Sequence, residues 1–140
     1  MTEHAPQPST VKHPFAELID MRVEARSPGS STLALTVGEQ HMNPHFVVHG
    51  AVLYALADTG MGAALAATLE QGEICATIEI KINYFKPVSA GEVVCRTTLV
   101  SRGKTVANLE SRLYVGDALV AQANGNYAVF RPSAPRKAPA

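Results

Sequence analysis

The sequence predicts an α+β domain in which an antiparallel sheet curls around one long, buried helix. Its 140 residues, 46% of them hydrophobic, are enough for the core of a single domain. The segment from Gly50 to about Glu70 is apolar almost all round, so a helix there must be covered on most sides. Strand-like segments joined by short turns surround it in the sequence, and wrapping those strands around the helix buries both.

Before the long helix we expect a short helix, two strands and a loop. The short helix is expected at Pro14 to Ile19. The strands Met21 to Arg26 and Ser31 to Val37 are joined through residues 27–30, Ser-Pro-Gly-Ser, whose composition favours a turn and hence a hairpin. Residues 38–49 combine Gly, Asn, Pro and three His without helical or strand periodicity, which indicates a loop.

The long helix and four further strands give the order β-β-α-β-β-β-β. The helix contains no Pro, and Gly72 is its expected stop signal. Ala76 to Phe85 alternates in polarity, which predicts a half-buried strand. One face of that strand carries Ile78, Ile80, Ile82 and Tyr84, and the other carries Thr77, Glu79, Lys81 and Asn83. The last three strands are expected at Val93 to Val100, Thr105 to Val115 and Ala118 to Phe130.

Both ends of the chain are rich in Pro and in small or polar residues. This composition favours flexible tails at residues 1–13 and 131–140 around one folded domain at residues 14–130. The N-terminal residues lack the basic-then-apolar layout of a signal peptide, so we expect a cytoplasmic protein. The most apolar stretch, residues 51–69, contains Asp58 and is barely long enough to span a bilayer, so no membrane span is expected.

Charge and motifs exclude several classes of function. Twelve Lys and Arg balance twelve Asp and Glu, so no net charge attracts nucleic acid or an anionic membrane. Neither Cys75 nor Cys95 belongs to a CxxC or CxxH pair, and we expect both to be reduced, buried and structural. No GxSxG, GxxxxGK[ST] or HExxH motif occurs. Gly60 and Gly62 lie inside the expected helix, where they favour close packing rather than a dinucleotide site.

Asp58 is the most informative residue, because it is the only charge between Gly50 and Leu69. An unpaired buried carboxylate costs several kcal/mol, of the order of 3 or more. The side chain is therefore either a structural carboxylate that is hydrogen-bonded or exposed, or a catalytic base or nucleophile.

Gly50 stands where the loop becomes the helix, and its N–H group is expected among the unpaired donors at the positive end of the helix dipole. Such a fixed donor can stabilise the charge that develops on a carbonyl oxygen during acyl transfer, although an ordinary helix start is the alternative. Eight residues separate Gly50 from Asp58, about 12 Å at 1.5 Å per residue. If both act on one carbonyl group, a second copy of the helix must supply one of them, which predicts a two-fold dimer with shared sites.

The loop before the helix holds further candidates. The amide of Asn43 can hydrogen-bond a water, a carboxylate or a carbonyl group, but Asn before Pro is also a common turn residue. His41, His45 and His49 fall at spacings of four, which would align metal ligands on a helix. Pro44 argues against a helix there, so we expect no metal site. His49 is interpreted as orienting the loop or lining a site, and solvent-facing positions are open to the other two histidines.

Residues 43–51 (NPHFVVHGA), followed by Asp58 and Thr59, resemble the N-P-x-x-x-x-H-G-G…D motif of hotdog-fold acyl-CoA thioesterases. Within the 4-hydroxybenzoyl-CoA thioesterase superfamily the match is to the PaaI-like, phenylacetate-pathway branch. The resemblance extends through residues 77–88 and the strand order, from about Leu33 to Phe130. One departure is Ala51, where the motif usually has a second Gly; the extra methyl group would narrow the acyl pocket or shift the helix start.

The resemblance implies a hotdog fold and an acyl-CoA thioesterase that needs no cofactor, since CoA is part of its substrate. Asp58 would activate water or attack the thioester carbonyl, while Gly50 of the partner subunit holds the oxyanion. Asn43 and His49 would assist from the side of Gly50, and Thr77 would position the attacking water near Asp58. The dimers would pair again into homotetramers.

The resemblance also implies a place for each end of the substrate. The turn Arg102-Gly103-Lys104 would hold the CoA phosphates, with Lys86 and Arg131 as weaker candidates; the alternative is that these basic side chains are only solvated. An apolar acyl pocket would suit aryl and medium-length aliphatic groups alike. The residues proposed to line it are Tyr54, Phe46, Met61 and Leu53.

Two other functions are compatible with a hotdog fold. A non-catalytic acyl-CoA-binding module is disfavoured by the presence of Asp58, and a sensor of this kind would need an attached DNA-binding segment that we do not expect here. A dehydratase acting on enoyl-CoA would require His five residues after the Asp, where this chain has Ala63. Thioester hydrolysis is therefore the predicted function.

Overall fold

The computed structural model describes residues 12–134, together with 137 and 139. Within these residues the predicted order β-β-α-β-β-β-β is confirmed, with a short helix before it and a 3-10 turn in the loop. The elements are α1 (Pro14–Leu18), β1 (Met21–Ser27), β2 (Ser30–Thr36), the 3-10 turn (Glu39–His41), α2 (Gly50–Ala66), β3 (Ile74–Tyr84), β4 (Glu92–Arg102), β5 (Val106–Val115) and β6 (Ala118–Phe130).

The six strands form one sheet in the order β1-β2-β4-β5-β6-β3, and every neighbouring pair is antiparallel. Helix α2 packs against the inner face of this sheet, where it contacts all six strands. The antiparallel sheet around one long helix that the sequence predicts is therefore confirmed. The connection from α2 leads to β3 at one edge of the sheet, beside the last strand. The largest fully buried apolar side chains are Leu33, Leu35, Leu56, Met61, Leu65, Leu109 and Leu113.

Glycines allow α2 to approach the sheet closely. A Cβ atom at Gly60 would lie 2.6 Å from the Thr97 hydroxyl oxygen, and one at Gly125 on β6 would lie 2.8 Å from the sulfur of Met61. At Gly62 a Cβ atom would meet nothing within 4 Å. Of the two helical glycines expected to allow close packing, only Gly60 has such a neighbour within the described chain.

Helix α2 ends at Ala66, four residues before the predicted end at Glu70. The Thr68 hydroxyl donates to the carbonyl oxygen of Leu65 at 2.7 Å, and the Thr68 N–H donates to the same oxygen at 2.9 Å. Because these local bonds satisfy a terminal carbonyl, the helix stops here rather than at the expected glycine. Gly72, with φ +86°, belongs to the turn that enters β3.

Residues 1–11 of the expected N-terminal tail lie outside the described residues, as do 135, 136, 138 and 140 at the other end. His13 caps α1, since its Nδ1 accepts the N–H of Ala16 at 3.0 Å. Arg131 is held against the domain by hydrogen bonds to the carbonyl oxygen of Gln71 and to Glu70. Within residues 12–134 no helix has the length and hydropathy needed to cross a bilayer.

Candidate active site

Asp58 lies in the middle of α2 and is partly exposed. Its Oδ1 atom accepts a hydrogen bond of 2.8 Å from the Thr77 hydroxyl on β3. The Tyr127 hydroxyl on β6 contacts the same oxygen and lies 2.9 Å from the main-chain oxygen of Asp58. Hydroxyl groups therefore hold this carboxylate, and none of the ion pairs in the described ranges includes it.

The second carboxylate oxygen of Asp58, Oδ2, has no hydrogen-bond partner among residues 12–134. Throughout that range every buried side-chain nitrogen and oxygen atom of a residue that is not exposed does have a partner. Since Asp58 is itself only partly exposed, Oδ2 must be accessible to solvent. One oxygen of the carboxylate is thus fixed and the other is open.

A β-bulge turns Thr77 towards Asp58. The register of β3 against β6 shifts between Thr77 and Glu79, which leaves Ile78 as an extra residue with 56% of its surface exposed. Strict alternation places Thr77 on the face opposite to Ile80, whereas the bulge brings both onto the inner face. The predicted face is therefore wrong for Thr77, and this difference allows its hydroxyl to reach the helix.

Tyr127 was not expected in the site, although its sequence context contains a signal. The inner face of β6 carries small residues at Ala121, Ala123 and Gly125 and then a tyrosine that is only 2% exposed. A hydroxyl-bearing ring on a buried face requires a polar partner. Burial, and then its hydrogen bond to Asp58, raise the pKa of the Tyr127 phenol, so the hydroxyl keeps its proton and acts as a donor.

Gly50 is the first residue of α2, where the sequence predicts it. His49 caps the helix, because its Nδ1 accepts the N–H of Ala51 at 2.9 Å. The Tyr84 hydroxyl at the end of β3 donates to the carbonyl oxygen of Gly50 at 2.8 Å. No acceptor for the Gly50 N–H lies among residues 12–134, which leaves this donor available at the positive end of the helix dipole.

Asn43 organises the loop before the helix. Its Oδ1 accepts the N–H groups of His45 at 2.8 Å and Val47 at 3.5 Å, and its own N–H donates to the Val47 carbonyl at 2.8 Å. The amide nitrogen of its side chain makes no hydrogen bond within the described chain. The same loop presents Phe46, which is 81% exposed at φ +61°.

The three histidines of this loop occupy unlike positions. His41 is 1% exposed; its Nδ1 accepts the Gly38 N–H at 2.9 Å and its Nε2 lies 2.6 Å from the Ile19 carbonyl oxygen. The solvent-facing position considered for His41 is therefore wrong, because the ring bridges two backbone segments. His45 and His49 are exposed. No group of three or more His, Cys, Asp or Glu residues suited to a metal ion occurs within the described ranges.

Both cysteines are free thiols. Burial raises the pKa of Cys95 to about 11. For Cys75, which is half-buried rather than fully buried as expected, burial and then the charge of Asp58 raise the pKa of the thiol. Neither thiol is disposed to ionise near neutral pH, so neither is favoured as a nucleophile.

A surface pocket lies beyond the C-terminal end of α2, and it includes the turn predicted to hold CoA phosphates. The nearest guanidinium nitrogen of Arg102 is 3.6 Å from Glu73, and that of Arg131 is 3.1 Å from Glu70. Lys104 takes part in no ion pair within the described residues. Two of three cations in the pocket are thus already neutralised by neighbouring carboxylates. The lining residues are Glu70, Glu73, Arg102, Gly103, Lys104 and Arg131.

The model of the thioesterase superfamily matches residues 45–122, more than half of the chain. The chain belongs to this superfamily. It is 32% identical over 94 residues to PA0474 of Pseudomonas aeruginosa, which is provisionally named an esterase. The aligned segment covers 66% of this chain and 70% of that protein.

Solved structures of similar fold agree with this assignment. Conserved protein PA5202 from Pseudomonas aeruginosa superimposes with a TM-score of 0.83 at 28% identity, covering 88% of this chain and 100% of its own. A single-site mutant of the phenylacetic acid degradation protein PaaI from Thermus thermophilus gives 0.78 at 27% identity, covering 83% and 98% respectively. The resemblance to PaaI-like hotdog thioesterases is therefore confirmed, and the chain is a thioester hydrolase.

In this thioesterase the predicted site residues fall into separate groups. Asp58 and Thr77 are in contact, whereas Gly50 and His49 lie at the start of α2 and Asn43 lies in the loop before it. Eight residues of continuous helix, about 12 Å, separate the two groups. A third group is the pocket at the Arg102-Gly103-Lys104 turn, which does not include Lys86. Of the expected acyl-pocket residues, Leu53 and Met61 are in the hydrophobic core, Tyr54 is half-buried and Phe46 is exposed.

Proposed function

We propose that this thioesterase hydrolyses an aryl- or medium-chain acyl-CoA to the free acid and CoA. Asp58 acts as base or nucleophile, and Gly50 of the partner subunit supplies the oxyanion donor. The observation that carries the proposal is the environment of Asp58, the only charged residue of α2. Its carboxylate is fixed at one oxygen by two hydroxyl groups and open at the other, which leaves Oδ2 free to take a proton from water or to attack a carbonyl carbon.

The chemistry follows from these two groups. A water molecule loses a proton to Asp58 as its oxygen attacks the thioester carbon, and the charge on the carbonyl oxygen is stabilised by the Gly50 N–H. Collapse of the tetrahedral intermediate breaks the C–S bond and releases CoA, whose thiolate takes up the proton. In the nucleophilic alternative the carboxylate attacks the thioester carbon and expels the CoA thiolate, which forms a mixed anhydride. Water then hydrolyses the anhydride to the free acid and regenerates the Asp58 carboxylate, and the proton released goes to the CoA thiolate. One oxyanion donor is worth about 3 kcal/mol of barrier lowering.

A homodimer is part of the proposal, because one α2 helix cannot place Gly50 and Asp58 on the same thioester group. Strand β3 is an edge strand of 11 residues in the single chain. It leaves Ile78 56% and Tyr84 50% exposed. A long edge with apolar side chains favours pairing with a second strand. We propose that β3 supplies the dimer contact in the cytoplasmic enzyme, and that dimers pair into tetramers.

The substrate class rests on the basic pocket and the structural neighbours. Arg102, Lys104 and Arg131 offer donors for the CoA phosphates, and no further cofactor is required by the proposed chemistry. An aryl acyl group is supported by the similarity to a phenylacetic acid degradation protein. Exposed Phe46 and half-buried Tyr54 suit an aromatic or medium-length aliphatic group.

The experiment is thiol release from a panel of aryl- and acyl-CoAs by the wild-type chain and its Asp58→Asn variant. Asp117→Asn, at an exposed turn between β5 and β6, is the matched control. We expect Asp58→Asn to lose at least about a hundredfold in kcat while circular dichroism shows it folded. Repeated turnover in ¹⁸O-labelled water tests the nucleophilic role, since label in the Asp58 carboxylate shows a mixed anhydride that water opens at the Asp58 carbonyl carbon, and a general base acquires none.

The outcomes separate the competing functions. Unchanged turnover by Asp58→Asn would remove Asp58 from the mechanism. If neither protein cleaves any thioester of the panel while calorimetry detects acyl-CoA binding, the non-catalytic module is the correct function instead.

A further inference from the structure

Tyr127 and Thr77 form a pair that acts on a single oxygen of Asp58. The two residues lie opposite each other on β6 and β3, and both hydroxyls contact Oδ1 of the carboxylate. Tyr127 is 69 residues from Asp58 in the sequence and is 2% exposed. The opposite oxygen, Oδ2, is open to solvent and has no partner in the described chain. The carboxylate is therefore held asymmetrically.

We propose that Tyr127 is a positioning residue of the hydrolase, which together with Thr77 fixes Oδ1 of Asp58 so that Oδ2 is the oxygen that reacts. This inference rests on the proposed function and adds to it an atom assignment and a residue. It also changes the expected task of Thr77, which holds the carboxylate rather than the attacking water.

The competing explanation is that Tyr127 only attaches the helix to the sheet. Its hydroxyl lies 2.9 Å from the main-chain oxygen of Asp58, and two serines make comparable contacts with α2. Ser31 donates to the carbonyl oxygen of Gly60 at 2.7 Å, and Ser111 donates to that of Ala57 at 3.2 Å. These serines touch helix carbonyls without touching the carboxylate. They therefore offer a matched control for the loss of a hydroxyl-to-helix bond.

The experiment compares kcat and KM of Tyr127→Phe, Ser31→Ala and the wild-type chain with one CoA thioester. Tyr127→Phe keeps the buried ring and removes only the hydroxyl. Because the carboxylate is then less well oriented, we expect kcat to fall about tenfold with KM little changed. Ser31→Ala is expected to keep the wild-type kcat and KM even if its melting temperature falls.

A second variant covers the case in which Tyr127→Phe does not fold. Thr77→Val, at an exposed position of β3, removes the other hydroxyl from Oδ1, and the same fall in kcat with KM little changed is expected. A wild-type kcat in the folded variants would overturn the positioning role, even where Asp58→Asn is inactive. An active Asp58→Asn enzyme would instead overturn the proposed function itself, so the two failures are distinguishable.

Discussion

The Tyr84 hydroxyl donates a hydrogen bond of 2.8 Å to the carbonyl oxygen of Gly50, 34 residues earlier in the chain. A Cβ atom at Gly50 would lie 3.0 Å from both the hydroxyl oxygen and the ring carbon that bears it. The absence of a side chain at Gly50 thus lets Tyr84 hold the carbonyl group of the residue whose own N–H is the proposed oxyanion donor. Packing against Tyr84 therefore explains a glycine at this position of the motif, in addition to close approach of the substrate.

We expect Gly50→Ala to lower kcat more than about tenfold, because the added methyl group displaces Tyr84 and turns the backbone at residue 50, including its N–H. Gly62→Ala is the control on the same helix, since a Cβ atom there meets nothing within 4 Å. The control should gain up to about 1 kcal/mol of stability from helix propensity and keep its activity. Steady-state thiol release and thermal melting test both variants; full activity of Gly50→Ala would contradict the proposed donor.

Mixing two impaired variants tests the shared site. When Asp58→Asn and Gly50→Ala chains are unfolded together and refolded, half of the dimers contain one chain of each kind. If each site takes Asp58 from one subunit and Gly50 from the other, one site of every mixed dimer is intact, and about a quarter of the wild-type activity returns. No recovery, with mixed dimers shown by native mass spectrometry, would place both residues of a site in the same subunit.

Phe46 occupies the left-handed region at φ +61°, which is unfavourable for a residue with a side chain, and 81% of its surface is exposed. Phe46→Gly should therefore leave the stability unchanged or raise it by up to about 1 kcal/mol. If the ring covers the acyl group, kcat/KM for aryl-CoA falls in the same variant. Asp20→Gly, at φ +58°, is the control for the backbone effect outside this loop, and it also removes the exposed hydrogen bond from Gln40 to the Asp20 carboxylate. Equal kcat/KM for Phe46→Gly and the wild type would exclude Phe46 from substrate binding.

The Arg102 and Glu73 side chains, 3.6 Å apart, lie in the pocket proposed for the CoA phosphates. Glu73→Gln removes a carboxylate that competes with those phosphates, and we expect KM for acyl-CoA to fall about two- to fivefold at low salt. Glu92→Gln, which breaks the surface pair with Arg22, is the matched control and should leave KM unchanged. An unchanged KM in Glu73→Gln across a salt series would show that the CoA phosphates bind outside this pocket.

Alkaline pH should destabilise the fold through Cys95. Burial raises the pKa of this thiol from 9.0 to about 11, so below pH 9 the thiol is protonated in both the folded and unfolded states. As the pH rises from 9 towards 11 the unfolded thiol ionises first, and the free energy of unfolding falls by about 2 to 3 kcal/mol. Tyr127 adds to this fall because its pKa is also raised. Denaturant unfolding under reducing conditions measures the effect, and Cys95→Ala should show a flatter pH dependence.

The sequence predicted those features that depend on neighbouring residues. The helix that carries Gly50 and Asp58 follows from an apolar run with one charge in it, and its start is where the sequence places it. The separation of about 12 Å between the two residues could be predicted from the rise per residue of an α-helix alone. The predicted C-terminal end of this helix was wrong, because the Thr68 hydroxyl donates a hydrogen bond to the Leu65 carbonyl oxygen, a local contact that composition does not reveal.

What only the tertiary structure decided is which side chains meet Asp58 and Gly50. Thr77 faces the helix because the bulge at Ile78 moves the Thr77 side chain to the inner face of the sheet. A prediction from strict alternation of polarity cannot detect such an inserted residue. Tyr127 and Tyr84 reach their partners across 69 and 34 residues of chain. Pairings of this kind depend on strand register and sheet order, which bring distant residues together through packing of the whole domain. The sequence by itself thus determined the fold and the helix that carries the reactive groups, and the folded sheet decided how those groups are held.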